Sequence, residues 1–514
     1  MATSLRLSWQ EEVLLTSSEG EAIVAGPGAR IVVRSVGPEI LAAMQCLTPP
    51  GEDEELLAES ILATGTVAAL ARWYYHIDQF RQRGLIRRSL VCDGKPLATV
   101  CSFSHTVPQR FRGNSDTSAS DTIGRTKGES TRAPRDTMFA CVLSRFAYVR
   151  LHQSELVLES PLAHARIILH DPRLMSILGA LAKPCTLVAL TERQNELAPG
   201  LNPEEIKAFV NLLRDAKMVE QVPVDSSPDQ TDSDSCNEPG LASWEFHDLL
   251  FHSRSRRGRS DSQFGGTYRF ANRRAPPALK VVDHREPYLL YRPDMEQLER
   301  DDPPLAQVQE RRRSLRQYAD QPMTARQLGE FLYRVARVKE LKQFTTPTTP
   351  TSPQSQTIEL ASRPFPAGGG LYELEFYIAV KACQELVPGL YHYDPLHHRL
   401  GRLDQTIQVV ESLLEEAATS AGMPPESLQV LIILTSRFER IAWKYESIAY
   451  SLTLKHVGVV YQTMYLAAVA MGLAPCAIGC GDSDLFARVA GTDYYVETSV
   501  GEFLLGSCVS EVRT

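Results

Sequence analysis

Nothing in this chain approaches the roughly 20 consecutive apolar residues needed to cross a bilayer. Its opening, Met1-Ala2-Thr3-Ser4-Leu5-Arg6, lacks the apolar stretch of a secretory signal. Basic excess is missing as well: the net charge is -8, from 54 Lys and Arg against 62 Asp and Glu, which argues against a general nucleic-acid binder. Cysteine is sparse, with 10 residues scattered singly from Cys46 to Cys508 and no CxxC pair answered by a second one downstream. Free thiols in a reducing cytoplasm, and no metal, are the expectation. Cys476 and Cys480 have no spaced His or Cys partner to complete a zinc site and read as small buried residues. What is present, 43% hydrophobic and 23% charged residues over 514 positions, describes a soluble globular protein with two to four domains.

An internal repeat occupies the first 222 residues. Gly28-Ala29-Arg30-Ile31-Val32-Val33 is echoed by His164-Ala165-Arg166-Ile167-Ile168-Leu169, and a Pro then opens a helical pattern in each copy. After Pro38, apolar residues fall at Leu41, Met44 and Leu47, with Pro50 closing; after Pro172 they fall at Met175, Leu178 and Leu181, with Pro184 closing. Phe80 precedes Leu85-Ile86 by the same interval as Leu213 precedes Met218-Val219. Strand pair, helix, helix and strand-like wing is the order of a winged helix. Two such modules are expected, at 1–104 and 138–224, joined by a polar, mobile loop at 105–137. Arg81, Arg83, Arg87 and Arg88 cluster around Gly84, but the acidic chain offers no second basic element for DNA. An exposed strand edge suits an extended peptide better. A purely structural lid stays open as an alternative.

The acidic, polar stretch 225–240 predicts the main domain boundary, followed by a domain at 241–514. Within it, Thr324-Ala325-Arg326-Gln327 is a capping box before an apolar stripe of Leu328, Phe331, Leu332, Val335 and Val338. Strands are expected at 374–380, 389–393, 430–434 and 501–505, with a helix around 407–415, so the class is α+β. A buried helix is expected between Ser447 and Met471, where no Pro occurs and apolar residues recur. Gly472 ends it, and Leu473 to Gly481 reads as a glycine-rich turn whose backbone a flat ligand could approach.

Arg312, Arg313, Ser314 and Arg316 supply cationic forks and a hydroxyl suited to a phosphate, although a solvated basic turn would look the same. Company makes them specific. Arg-Arg-Ser-x-Arg-x-Tyr, Pro366-Ala367-Gly368-Gly369 with Glu375-Phe376-Tyr377, Trp443-Lys444-Tyr445 and Pro475-x-x-Ile478-Gly479, in this order, resemble the FMN-dependent nitroreductase superfamily. The set is most similar to the SagB/McbC-type dehydrogenases that oxidise azolines in ribosomally made peptides. The two amino-terminal copies resemble the winged-helix peptide-recognition modules of such pathways, as in cyanobactin thiazoline oxidases.

The resemblance implies a homodimer with FMN at its interface and an azoline-containing peptide as substrate, with neither nucleic acid nor membrane as partner. It gives the phosphate and ribityl chain to Arg312, Ser314 and Arg316, with Arg313 nearby. It gives the flavin's surroundings to Pro366, Ala367, Gly368, Gly369, Gln462, Gly479 and Cys480. Lys444 and Tyr445 match the pair assigned to catalysis; a lysine base needs desolvation or a nearby positive charge, for which Arg437 and Arg440 are candidate neighbours. Adjacent residues in a regular helix point about 100° apart, so the helix is expected to begin after Tyr445. Two departures stand out: Ala367 replaces a common Ser, and only Arg513 offers a carboxy-terminal cation. An NAD(P)H-dependent nitroreductase or quinone reductase, and a peptide-binding scaffold with an inactive flavin fold, are the rival readings.

Overall fold

The computed structural model describes residues 3–18, 20–26, 29–103, 139–224, 240–260, 262–282, 286–345 and 355–509. The expected loop at 105–137, the 225–240 stretch except Gly240, and Arg513 lie outside them. The chain divides into two compact units, Met1–Ser262 and Gln263–Thr514.

In the first unit the repeat seen in the sequence is a repeat of bonds. Phe80 C=O accepts from Leu85 N–H at 2.9 Å, and Leu213 C=O accepts from Met218 N–H at 2.8 Å. Each closure needs a left-handed residue, supplied by Gly84 (φ 63) and by Lys217 (φ 56). Trp9 N–H donates to Leu47 C=O and Leu143 N–H to Leu181 C=O, both at 2.7 Å; Gln10 to Leu85 and Ser144 to Met218 follow at 2.9 Å. The repeat therefore reaches back to the strands Thr3–Trp9 and Phe139–Leu143, which precede the motif legible in the sequence. The helices that open after Pro38 and Pro172 bury Ile40, Ala43, Met44 and Leu47, and Leu174, Ile177, Leu178 and Leu181. Met44, Leu47, Leu178 and Leu181 are buried as expected, but Leu41 is only half-buried and Met175 is exposed, and Ile40 and Leu174 fill the first inward position instead.

The two copies share one sheet. Its order is Glu52–Asp53, Thr3–Trp9, Ile86–Cys92, Lys95–Ser102, Ala165–Leu169, Glu155–Glu159, Tyr148–His152, and the seam is Ala98↔Leu169 through Ser102↔Ala165. The unit also continues past Gly240, so the division falls at Ser262/Gln263 rather than at the polar stretch. The reason is a buried carboxylate. Glu159 accepts from Arg150 and Tyr148, and Arg254, at the end of the Phe246–Arg254 helix, joins it at 3.3 Å. Burial alone would raise the Glu159 pKa; these donors outweigh it and lower it. Arg259 adds a bond to Pro161 C=O at 2.8 Å, and the Gly258 carbonyl lies 2.9 Å from the His164 ring.

The second unit is built on an antiparallel sheet ordered Tyr288–Leu289, Arg399–Arg402, Gly389–Asp394, Leu374–Val380, Val430–Arg437, Glu497–Ser507, Leu473–Ile478. Side chains alternate across it as strand geometry requires. Phe376, Ile378 and Val380 join the core under the Ala325–Ala336 and Ala449–Ala470 helices. Tyr377 and Ala379 join the core under Ile407–Ala421 and Ser483–Ala490. The capping box at Thr324 and Gln327 forms. Leu473–Ile478, expected as a turn, is instead the edge strand; only Gly472 (φ 63) turns the chain there. Pro475 is tolerated because an edge strand needs no donor on its outer side, where its carbonyl accepts from Leu315 N–H at 2.8 Å. Among the described residues no helix is long and apolar enough to cross a membrane.

Candidate active site

Lys444 and Tyr445 lie between two helices, Phe438–Ala442 and Ala449–Ala470, so the long helix does begin after Tyr445. The irregular segment has identifiable anchors. Trp443, almost fully buried, donates its indole N–H to Arg273 C=O at 3.0 Å. Glu446 exchanges backbone bonds with Gly265, Tyr268 N–H reaches Lys444 C=O at 3.0 Å, and Ser447 takes a left-handed φ of 63. The strap from 263 to 273 thus sets the segment's course, and sequence reading assigned it no role.

Both side chains meet the 366–369 loop. A β-carbon at Gly369 (φ 62) would stand 2.5 Å from Lys444 Nζ and 2.9 Å from Tyr445 Oη. Only glycine fits there without displacing both tips. Lys444 Nζ also lies 5.5 Å from the Tyr268 ring centroid and 5.2 Å from that of Tyr445, within range of cation–π attraction. Pro366 and Gly369 are exposed, and Ala367 and Gly368 half-buried, so the loop presents an open face.

Arg437 and Arg440 are engaged elsewhere. Arg437 Nε lies 2.8 Å from Glu375 Oε1, too poorly aligned to count as a hydrogen bond, while its other nitrogens donate to Pro277 and Ala278 carbonyls. Burial raises the Glu375 pKa, but Arg437, His392 and Arg363 outweigh it and bring it to about 2. Arg440 is buried and donates to the carbonyls of Leu371, Pro276 and Glu359, tying down the end of the glycine loop. Both arginines thus hold backbone carbonyls, and Arg437 also faces the Glu375 carboxylate.

A second group gathers towards the other end of the long helix. Ser314 Oγ lies 2.6 Å from Tyr465 Oη, which accepts from Ala477 N–H at 2.9 Å, and the Arg312 guanidinium stands 5.3 Å from the Tyr465 ring centroid. Arg313 and Arg316 are exposed. Burial raises the Cys476 thiol pKa, opposed by the Arg316 charge and a bond with Ser314. Gly479 and Cys480 end the same edge strand, both exposed, with nothing within 4 Å of where a Gly479 β-carbon would be. Cys480 is thus not the buried residue expected, because the chain has left the sheet there. Beside it, burial pushes the Glu502 carboxyl up to about 7, and that carboxyl occupies the place a Gly481 side chain would take. Gln462 is exposed on the helix between the two groups. Tyr465 and the helix residue nearest the glycine loop, His456, are nine positions apart in sequence, about 13 Å along the helix at 1.5 Å per residue.

Three family models match the chain in order: the ThcOx helix turn helix domain over residues 1–111, the cyanobactin oxidase ThcOx over 141–261, and the nitroreductase family over 310–506. The chain carries a nitroreductase-family domain at 310–506 behind two segments that match cyanobactin-oxidase models. That places it among oxidoreductases. "Putative nitroreductase MJ1384" of Methanocaldococcus jannaschii is 26% identical over 188 residues, covering 36% of this chain and 81% of that protein. The trifolitoxin-processing protein TfxB of Rhizobium leguminosarum bv. trifolii is 25% identical over 151 residues, covering 29% of this chain and 40% of that protein. Among solved structures, the E. coli microcin synthetase McbBCD complex with truncated pro-MccB17 matches at 18% identity and a TM-score of 0.31, covering 51% of this chain and 91% of that one. The cyanobactin-oxidase match ends at 261, beside the division between the two units.

Proposed function

We propose that this protein uses FMN to oxidise thiazolines, and oxazolines by the same chemistry, to thiazoles and oxazoles in a ribosomally synthesised peptide. The observation that carries this reading is the meeting of Lys444 Nζ and Tyr445 Oη over Gly369, within a chain that matches cyanobactin-oxidase models. An azoline carries an acidic C–H beside an imine and a carbonyl, and aromatisation removes that proton together with a hydride from the neighbouring carbon. FMN supplies the hydride acceptor, and oxygen is the final oxidant. Lys444 or Tyr445 takes the proton.

The fit to FMN rests on this chain's own residues. None of Arg312, Arg313 and Arg316 is in an ion pair among the described residues, leaving three guanidinium groups for a phosphate. Ser314 adds a hydroxyl, and the open backbone at Gly368, Gly369, Gly479 and Cys480 admits a flat ring. The same reading includes a homodimer with FMN at its interface. The amino-terminal modules would hold the peptide, raising its effective concentration at the site.

The test is a mass measurement on an azoline peptide incubated with the protein and FMN. Loss of two hydrogens per ring supports the reading. Steady NADPH oxidation without azole formation would instead favour a nitroreductase or quinone reductase, and a colourless, peptide-binding protein would favour an inactive scaffold.

A further inference from the structure

The glycine loop is held from behind by two side chains that the proposed chemistry does not use. Glu373 has no exposed surface, and His456 is buried on the long helix. Glu373 Oε1 lies 2.6 Å from His456 Nδ1, and His456 Nε2 lies 2.8 Å from the Gly368 nitrogen. A backbone N–H can only donate, so Nε2 must be the acceptor and the ring proton must sit on Nδ1, facing Glu373. One orientation and one tautomer of the imidazole follow from those partners.

The clamp is short-range. Gly368 lies so close to the imidazole that a β-carbon there would stand 3.4 Å from two ring atoms. From Gly368 the chain makes one tight turn, closed by Gly370 N–H to Ala367 C=O at 3.2 Å, and Arg440 Nε holds Leu371 C=O at 2.9 Å. Gly369, the residue against Lys444 and Tyr445, is the apex of a turn tied on both sides. Movement of Gly368 would move the surface on which both tips rest.

We propose that Glu373 and His456 are positioning residues that fix the Gly368–Gly369 turn and thereby the placement of Lys444 Nζ and Tyr445 Oη. This rests on the azoline-oxidase reading for its catalytic consequence, but the clamp itself has a readout independent of turnover.

The experiment uses the full chain with His456→Asn and His456→Gln. Asparagine keeps an amide where Nδ1 stood, so Glu373 retains a donor, but it cannot reach Gly368. Glutamine places an amide oxygen near the position of Nε2 and can still accept from Gly368. Hydrogen–deuterium exchange of the peptide spanning 366–371 should accelerate by about tenfold or more in His456→Asn and stay near wild type in His456→Gln. Azole formation should follow the same order, with kcat falling on the order of tenfold or more in His456→Asn and KM little changed. Unchanged exchange in His456→Asn overturns the clamp. Exchange equally fast in both variants overturns it too, since that is the behaviour of a residue that merely fills space. Accelerated exchange with an unchanged kcat overturns the positioning role. If the wild type makes no azole while exchange responds as expected, the clamp stands and the functional reading falls.

Discussion

Replacing Gly369 by alanine is the most direct trial of the site. The residue has φ 62, a conformation that costs a non-glycine residue about 1 kcal/mol. The added β-carbon would stand 2.5 Å from Lys444 Nζ and 2.9 Å from Tyr445 Oη, against an ordinary contact of about 3.5 Å or more, so both tips must retreat by roughly 0.5–1 Å. Both are the far ends of long side chains, so the fold can accommodate the change for about 1–2 kcal/mol, a fraction of a typical 5–15 kcal/mol. A reacting group misplaced by about 1 Å can cost on the order of 100-fold in rate. Gly369→Ala should therefore lower kcat for azole formation by one to two orders of magnitude, roughly, while thermal unfolding remains cooperative. Gly368→Ala is the milder comparison: its β-carbon would meet the His456 ring at 3.4 Å and Leu452 at 3.5 Å, without a clash under 3 Å, and its N–H is kept. Azole formation would be followed by mass spectrometry and folding by calorimetry. A Gly369→Ala protein with wild-type kcat, or a Gly368→Ala protein equally impaired, would refute the claim that the turn's apex places the two side chains.

Three further outcomes are expected. Arg316→Ala should weaken FMN retention by about tenfold, the value of one charge-assisted contact; full yellow occupancy after dialysis would contradict the phosphate role. Lys444→Ala should remain yellow but lose azole formation, and undiminished turnover would remove Lys444 from the mechanism. Glu502 has its pKa raised from 4.5 to about 7 by burial, so the folded form keeps a proton that the unfolded chain releases across that window. Its stabilising contribution is present below the lower value and lost as pH rises through the upper one, a change on the order of 3 kcal/mol. Glu502→Gln should cancel that slope, which paired unfolding titrations at pH 5 and pH 8 would show as a difference growing in the variant's favour; a constant difference would contradict it.

The parts of this fold that sequence reveals are those whose signals are local. Thr324 and Gln327 form their capping box from neighbouring residues, and the strands at Leu374–Val380 and Val430–Arg437 follow from runs of apolar and β-branched side chains. The repeat is legible because its offsets recur, yet an offset does not say which side of a helix faces inward. Leu41 and Met175 keep the interval as well as Ile40 and Leu174 do, and only packing against the neighbouring strands and helices selects the latter. The edge strand at Leu473–Ile478 was hidden because Gly472, Pro475 and Gly479 punctuate it like a turn; a sheet edge removes the penalty on Pro475.

The site divides along the same line. Lys444 and Tyr445 stand next to each other in sequence, and their neighbours could be matched to a family pattern. The residues that hold them in place come from far away in the chain: Gly368 meets His456 across 88 positions, His456 meets Glu373 across 83, and Arg440 meets Leu371 across 69. Each of these is a single histidine, glutamate or arginine without periodicity or spacing to mark it. A buried carboxylate beside an imidazole is nonetheless a strong demand on a fold, since either partner alone would be left unpaired away from water. That the fold pairs them directly behind the turn whose apex stands against Lys444 Nζ and Tyr445 Oη is the reason to expect His456 and Glu373 to matter to the reaction as well as to stability.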